Sequence, residues 1–178
     1  MPKQTLQLDK YARDAKTWWI YAQANYDGAR VLFTHEERNL TLCFPAAMLG
    51  HHALEAFLKT ALICEGITIF DSLKLGRLDP PTSLQEEDCA WGHHLGELAK
   101  KLAKRRPDFD LSKVLPGRYF FPRAEPITIQ SGLALFDPYF WELRYPQAMK
   151  ELDSIGPQDV LLLDALVAEL LPFVEKAK

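Results

Sequence analysis

Two copies of a His-His-x-x-Glu pattern contain the residues of this chain best suited to chemistry. The copies are His51-His52-Ala53-Leu54-Glu55 and His93-His94-Leu95-Gly96-Glu97. On a helix, side chains three or four positions apart lie on the same face. Each copy therefore predicts two imidazoles beside one carboxylate. Two such helices facing each other would bring both sets together.

A metal site is one interpretation of this pattern. Imidazole and carboxylate groups are ligands for zinc, iron or nickel, and helical bundles hold metals between facing helices. The simpler interpretation is that histidines cap helix starts or hydrogen-bond to a neighbouring helix. We favour the simpler interpretation and expect no cofactor. The residues that would hold a divalent metal under the first interpretation are His51, His52, Glu55, His93, His94 and Glu97.

An anion-binding cleft is a second candidate site. If the second and third predicted helices pack side by side, cations from both would converge on a phosphate, and an aromatic ring would offer a surface for a base. The alternative is that the carboxylate and the cations form an internal ion-pair network that holds the helices together. The candidate residues of this cleft are His52, Glu55, Lys59, His93, Arg144 and Tyr145.

The signatures of several enzyme classes are missing. The chain contains no Gly-x-Ser-x-Gly sequence and no glycine-rich phosphate loop. Its three cysteines, Cys43, Cys64 and Cys89, show no CxxC spacing, which indicates buried small side chains in a reducing compartment. A serine or cysteine hydrolase therefore has little support.

Composition indicates one soluble domain. The 178 residues are 48% hydrophobic and 25% charged, with a net charge of -3, so no global basic field favours nucleic acid. The first ten residues are polar and lack the apolar core of a signal peptide. The chain contains no run of about 18 apolar residues, so no membrane span is expected. We expect a cytoplasmic protein with a single domain over residues 1–178 and no membrane contact.

Hydrophobic periodicity predicts the two helices that carry the first pattern. Asp14 is suited to cap a first helix, whose apolar residues recur at three- or four-residue steps as far as Phe33. The second helix is expected to start between Thr41 and Ala46, with Pro45 in its first turn, and to end near Gly66. It reads as long and mostly buried. Its glycine and alanine residues predict a close approach by a neighbouring helix.

The second half of the chain is less regular. A third helix is predicted from Cys89 or Trp91 to Arg106, with basic residues at its end that complement the helix dipole or face a phosphate. A long irregular connection follows, with a short strand at 127–129. A helical segment over 136–151 and a final helix that starts at 156–157 and ends or kinks at Pro172 complete the chain. The predicted fold is an all-α, antiparallel up-and-down bundle of four to five helices, with the long irregular connection before the last helices.

Three short patterns occur in order between about residues 14 and 175. The first helix has Trp18, Ala22, Ala29 and Leu32, the second has 52–59 with Glu55 and Lys59, and the third opens with Gly92-His93-His94-Leu95, followed by Leu98. Together they resemble the HEPN domain, a helical bundle of bacterial and archaeal proteins. That family typically has Ala-Glu-x-x-x-Lys in its second helix and Gly-His-Asp-Leu at the start of its third, where this chain has His94 in place of the aspartate. Many members also have Arg-Tyr-Pro, present here at Arg144-Tyr145-Pro146.

The resemblance implies a homodimer, association with a nucleotide or RNA, and frequent pairing with a nucleotidyltransferase in toxin–antitoxin systems. Many members are ribonucleases that use Arg-x(4–6)-His in the later helices. Here Arg144 has no histidine after it, and the one pair at this spacing, Arg30 and His35, lies at the end of the first helix. This difference argues against ribonuclease activity. The alternatives to a nucleotide- or RNA-binding protein are a non-catalytic interaction module and a metal-dependent helical-bundle enzyme.

Overall fold

The computed structural model describes residues 14–35, 40–70, 88–117, 126–139, 156 and 158–178. Within these ranges the chain forms an all-α bundle with one short two-stranded parallel sheet, as the hydrophobic pattern predicts for the fold class. A single 3₁₀ turn, Glu175–Ala177, follows the last helix. The other elements are α1 Ala15–Phe33, α2 Leu40–Cys64, β1 Thr68–Phe70, β2 Cys89–Trp91, α3 Leu95–Arg105, α4 Ile129–Phe136 and α5 Asp159–Val174.

Helix α2 is the central element of the bundle. It packs against α1, α3, α4 and α5, with α1 as its most extensive neighbour. Every residue from Ala53 to Leu62 is buried, which confirms the long, mostly buried helix predicted from the sequence. This stretch includes Glu55 and Lys59, and buried charges are costly unless they are paired and hydrogen-bonded. The interior of the bundle must therefore supply partners for them.

Helix α1 begins where the sequence predicts. The Asp14 carboxylate accepts a hydrogen bond from the Lys16 amide at 3.1 Å and from the Thr17 hydroxyl at 2.7 Å, so it satisfies a first-turn amide. Farther along, the Tyr26 hydroxyl donates to Asp164 of α5 at 2.7 Å. This bond fixes α1 to the last helix as well as to α2.

Helix α4 approaches α2 closely at Gly50, as the small residues of α2 predict. A Cβ atom on Gly50 would lie 2.9 Å from a ring carbon of Phe136 and 3.5 Å from Leu163 of α5. Real side chains essentially never come this close. The glycine therefore lets α4 and α5 pack directly against the turn of α2 that carries His51.

The predicted start of the third helix is wrong. Cys89–Trp91 form β2, which pairs in parallel with β1 so that Thr68 lies opposite Cys89. Gly92 then adopts a φ of +85°, a left-handed conformation that interrupts any helix. Helix α3 starts only at Leu95, so His93 and His94 precede it. The second His-His-x-x-Glu pattern is consequently not one face of a helix.

Three other predicted boundaries differ from the structure. Pro45 lies inside α2, because the helix already begins at Leu40. Thr128 bridges Val114, but the next residue starts α4, where Thr128 and Ser131 form a capping box in place of the predicted strand. Helix α5 starts at Asp159, three residues after Gly156, and it continues past Pro172 to Val174.

The helix predicted over 136–151 lies mostly outside the described residues, which stop at 139 in this region. Among the helices that the structure describes, none is long and apolar enough to cross a membrane.

Candidate functional site

The Glu55 carboxylate is the centre of a polar cluster inside the bundle. Its Oε1 accepts from the Lys59 ammonium at 2.5 Å, one turn later on α2, and from His93 Nδ1 at 2.9 Å. His51 Nε2 and His52 Nδ1 each lie 3.7 Å from the other oxygen, Oε2. The structure therefore brings together four of the predicted cleft residues and adds His51. We call these five residues the Glu55 cluster.

Glu55 is ionised in this environment. Burial by itself raises the pKa of Glu55, but the proximity of the imidazoles of His51, His52 and His93, and then the charge of Lys59, hold the pKa far below its usual range. An ionised carboxylate has no proton to donate, so His93 must carry its ring proton on Nδ1. The carboxylate thereby sets the tautomer of an imidazole that comes from another part of the chain.

Lys59 is the cation that balances this carboxylate. Its side chain is 2% exposed, and its ammonium also lies 5.0 Å from the centroid of the Trp18 ring of α1. An ammonium over an indole face is attracted by the ring quadrupole. Trp18 of α1 thus adds a favourable contact to the neutralised pair of Lys59 and Glu55. The apolar spacing of the first helix gives no signal for the contact of this ring with Lys59.

The end of α4 contacts both sides of the cluster. His51 is fully buried and donates from Nδ1 to the Phe136 carbonyl at 3.0 Å. The next residue, Asp137, accepts from the Leu95 amide at 2.8 Å, at the start of α3. A backbone carbonyl leaves no mark in the sequence, so the partner of His51 was not predictable. Nor did sequence reasoning find Asp137, since its role depends on where α4 ends.

Two members of the Glu55 cluster reach the surface. The side chains of His52 and His93 are 22% and 16% exposed, whereas Glu55 and Lys59 are almost completely buried. The cluster therefore has a buried charged centre and an outer edge of two imidazoles. An imidazole can donate, accept or carry a proton near neutral pH, so this edge can bind a polar or anionic group.

Two predicted residues do not join the cluster. His94 is the N-cap residue of α3 and is exposed, and Glu97 is 71% exposed and accepts from Lys100 at 2.8 Å. Both line a different surface cleft of about 450 Å³, which also includes Gln130 and Asp137. Arg144 and Tyr145 lie outside the described residues, so their predicted place in the cleft stays a prediction.

The described part of the chain contains no group of three or more His, Cys, Asp or Glu side chains arranged to hold a metal ion. The Lys59 ammonium lies 2.5 Å from the Glu55 carboxylate and already neutralises it. The arrangement fits an internally balanced polar cluster better than a metal centre.

The basic residues at the end of α3 are mostly held by nearby acceptors. Arg105 pairs with Asp88 at 2.6 Å, and Arg106 pairs with Glu65 at 2.9 Å and with Asp108 at 2.7 Å. Lys101 donates to the carbonyl of Cys89. These contacts, together with the favourable position at a helix C-terminus, account for the basic residues without a bound phosphate.

Neither a scan against protein-family models nor searches among curated proteins and solved structures finds a match to this chain. What the chain binds must therefore be argued from its own geometry.

Proposed function

We propose that this chain binds a nucleotide, either free or within a single-stranded RNA, at the edge formed by His52 and His93. The observation that carries the proposal is the convergence of three imidazoles and one ammonium on the buried carboxylate of Glu55. Lys59 already neutralises Glu55, so a phosphate oxygen at the imidazole edge does not meet an unbalanced negative charge. The exposed edge is therefore suited to a phosphate oxygen.

An aromatic ring contacts the Glu55 cluster through Lys59. Trp18 is half-buried and lies against the Lys59 ammonium. Aromatic faces stack on nucleobases without regard to sequence. The net charge of -3 opposes a long polyanion, which favours a nucleotide or a short single-stranded segment over duplex nucleic acid.

The resemblance to the HEPN domain supports the same ligand class and adds a biological setting. It suggests a cytoplasmic bacterial homodimer that pairs with a nucleotidyltransferase, as in toxin–antitoxin systems. We propose binding without a catalytic step. In the described residues Arg30, which starts the one Arg-x(4–6)-His match, forms an ion pair with Asp164 at 3.2 Å at the α1–α5 contact.

A non-catalytic interaction module is the second candidate function. The 2.5 Å pair between Lys59 and Glu55 is buried inside the bundle, which favours a structural role for these two residues. In that case His52 and His93 would only complete the hydrogen bonding of the carboxylate. A metal-dependent enzyme is the third candidate, and it has the least support because the Lys59 ammonium already neutralises the Glu55 carboxylate.

Ligand binding discriminates between these candidates. We expect ATP or a short labelled oligoribonucleotide to raise the melting temperature, since a ligand specific for the folded state stabilises it by mass action. Fluorescence anisotropy with the oligoribonucleotide, and competition by ATP, then show whether the free nucleotide or the RNA binds more tightly. Zinc, nickel and iron(II) salts form the metal arm of the same screen.

His93→Gln is the test variant and His94→Gln is its matched control. The two changes are chemically identical and adjacent, but only His93 contacts Glu55. We expect the first to weaken binding about fivefold or more, the equivalent of one hydrogen bond, and the second to leave it unchanged. Equal affinities for the two variants, or no ligand-induced stabilisation of the wild type, would favour the interaction module.

A further inference from the structure

Two consecutive residues at the end of α4 hydrogen-bond to α2 and to the start of α3, the two segments that supply the edge formed by His52 and His93. The Phe136 carbonyl accepts from His51 of α2, and the Asp137 carboxylate accepts from the Leu95 amide, two residues after His93. The close packing at Gly50 fixes α4 against α2. The end of α4 therefore adds a second link between the α3 start and α2, beside the direct packing of α3 on α2.

Asp137 replaces a missing helix cap. His94 has the extended backbone of an N-cap residue, with φ -76° and ψ 110°, but its side chain makes no capping hydrogen bond. The first amides of a helix have no partner inside the helix and are normally satisfied by a side chain at the N-cap. In α3 the Leu95 amide instead receives its acceptor from Asp137, 42 residues later in the chain. The same contact that caps α3 thus also ties it to α4.

We propose that Asp137 is a positioning residue for the nucleotide site, which holds the His93 imidazole against Glu55 by fixing the start of α3 to α4. The proposal rests on the function proposed above. The Asp137 carboxylate then makes two contributions that can be tested separately. The cap stabilises α3 wherever the acceptor comes from, whereas the link to α4 places His93 at its 2.9 Å contact with Glu55.

The experiment compares Asp137→Ala, Asp137→Asn and the double variant His94→Asp/Asp137→Ala. Asparagine keeps an acceptor oxygen at position 137, whereas an aspartate at position 94 supplies a cap from within α3 but no link to α4. Below each variant's melting temperature, we measure the dissociation constant for the labelled oligoribonucleotide. We also record the imidazole NMR signals of the ligand-free protein. The signal of His35, which follows the end of α1, is the internal control.

We expect Asp137→Ala to weaken binding about fivefold, the equivalent of one lost cap, and to move the His93 signal but not the His35 signal. Asp137→Asn should bind like the wild type. The double variant should regain its melting temperature while its affinity stays low and its His93 signal stays displaced.

Wild-type affinity and an unchanged His93 signal in Asp137→Ala would overturn the proposal, as would full recovery of both in the double variant. If the wild type does not bind the oligoribonucleotide or ATP, the proposed function fails. The His93 signal of the ligand-free variants then still decides whether Asp137 positions this imidazole.

Discussion

Replacement of Lys59 by methionine is the most informative perturbation of the Glu55 cluster. The two side chains have similar length, so the change removes the charge and keeps most of the packing. In the wild type the ammonium is 2% exposed and lies 2.5 Å from Glu55. Its removal leaves an ionised carboxylate in the core without its cation. Breaking a buried pair in this way costs about 3–5 kcal/mol.

Urea denaturation measures this loss of unfolding free energy. The double variant Glu55→Gln/Lys59→Met removes both charges and should recover part of the stability, which identifies the stranded carboxylate as the cause. Lys100→Met is the matched control, because the Lys100–Glu97 pair has a 2.8 Å contact but its side chains are 58% and 71% exposed. An exposed pair of this kind contributes at most about 1 kcal/mol. A Lys59→Met variant no less stable than Lys100→Met would refute the reasoning.

Two further predictions concern the packing and the pH dependence of the fold. Gly50→Ala should lower the unfolding free energy by about 1–3 kcal/mol, since the added methyl group meets the Phe136 ring. Gly66→Ala is the comparison variant. Gly66 lies at an open position with positive φ, so only backbone strain acts there. A Gly50→Ala variant with wild-type stability would show that α4 does not pack this closely. Burial raises the pKa of Asp159 to about 6, above its usual value near 3.8, so folding favours the protonated form. The contribution of Asp159 to the free energy of unfolding is fully present below about pH 4 and is lost as the pH rises through about 6. The loss amounts to at most about 3 kcal/mol. Asp159→Asn should remove this part of the pH profile, and parallel urea midpoints for both proteins between pH 4.5 and 7.5 would contradict the assignment.

The periodicity of the chain predicts the bundle well where a helix has a continuous apolar stripe and a local cap. Asp14 and the stripe that follows it define α1, and the run of apolar residues around Glu55 defines α2. The start of α3 was misplaced because Cys89–Trp91 pair with a strand some 20 residues earlier. A three-residue parallel pairing depends on tertiary contacts and has almost no local pattern.

The contacts of the candidate site were predictable from the sequence only where they follow from helix spacing or from the packing of neighbouring helices. The i,i+4 spacing places Lys59 beside Glu55, and side-by-side packing of the second and third helices, expected from the sequence, brings His93 to Glu55. The outward position of Glu97 could not be predicted, because α3 starts only at Leu95, four residues after Trp91. The contribution of Asp137 depends on a contact between residues 42 positions apart, which no local pattern records.

The exposed edge of the Glu55 cluster, formed by His52 and His93, is the proposed ligand site. Histidine-resolved NMR tests this assignment directly, because the chain has only five histidines, three of which belong to the cluster. Titration with ATP and with the short oligoribonucleotide should shift the imidazole signals of His52 and His93 and leave those of His35 and His94 in place. Signals of His52 and His93 that stay unchanged at saturating ligand would contradict the claim.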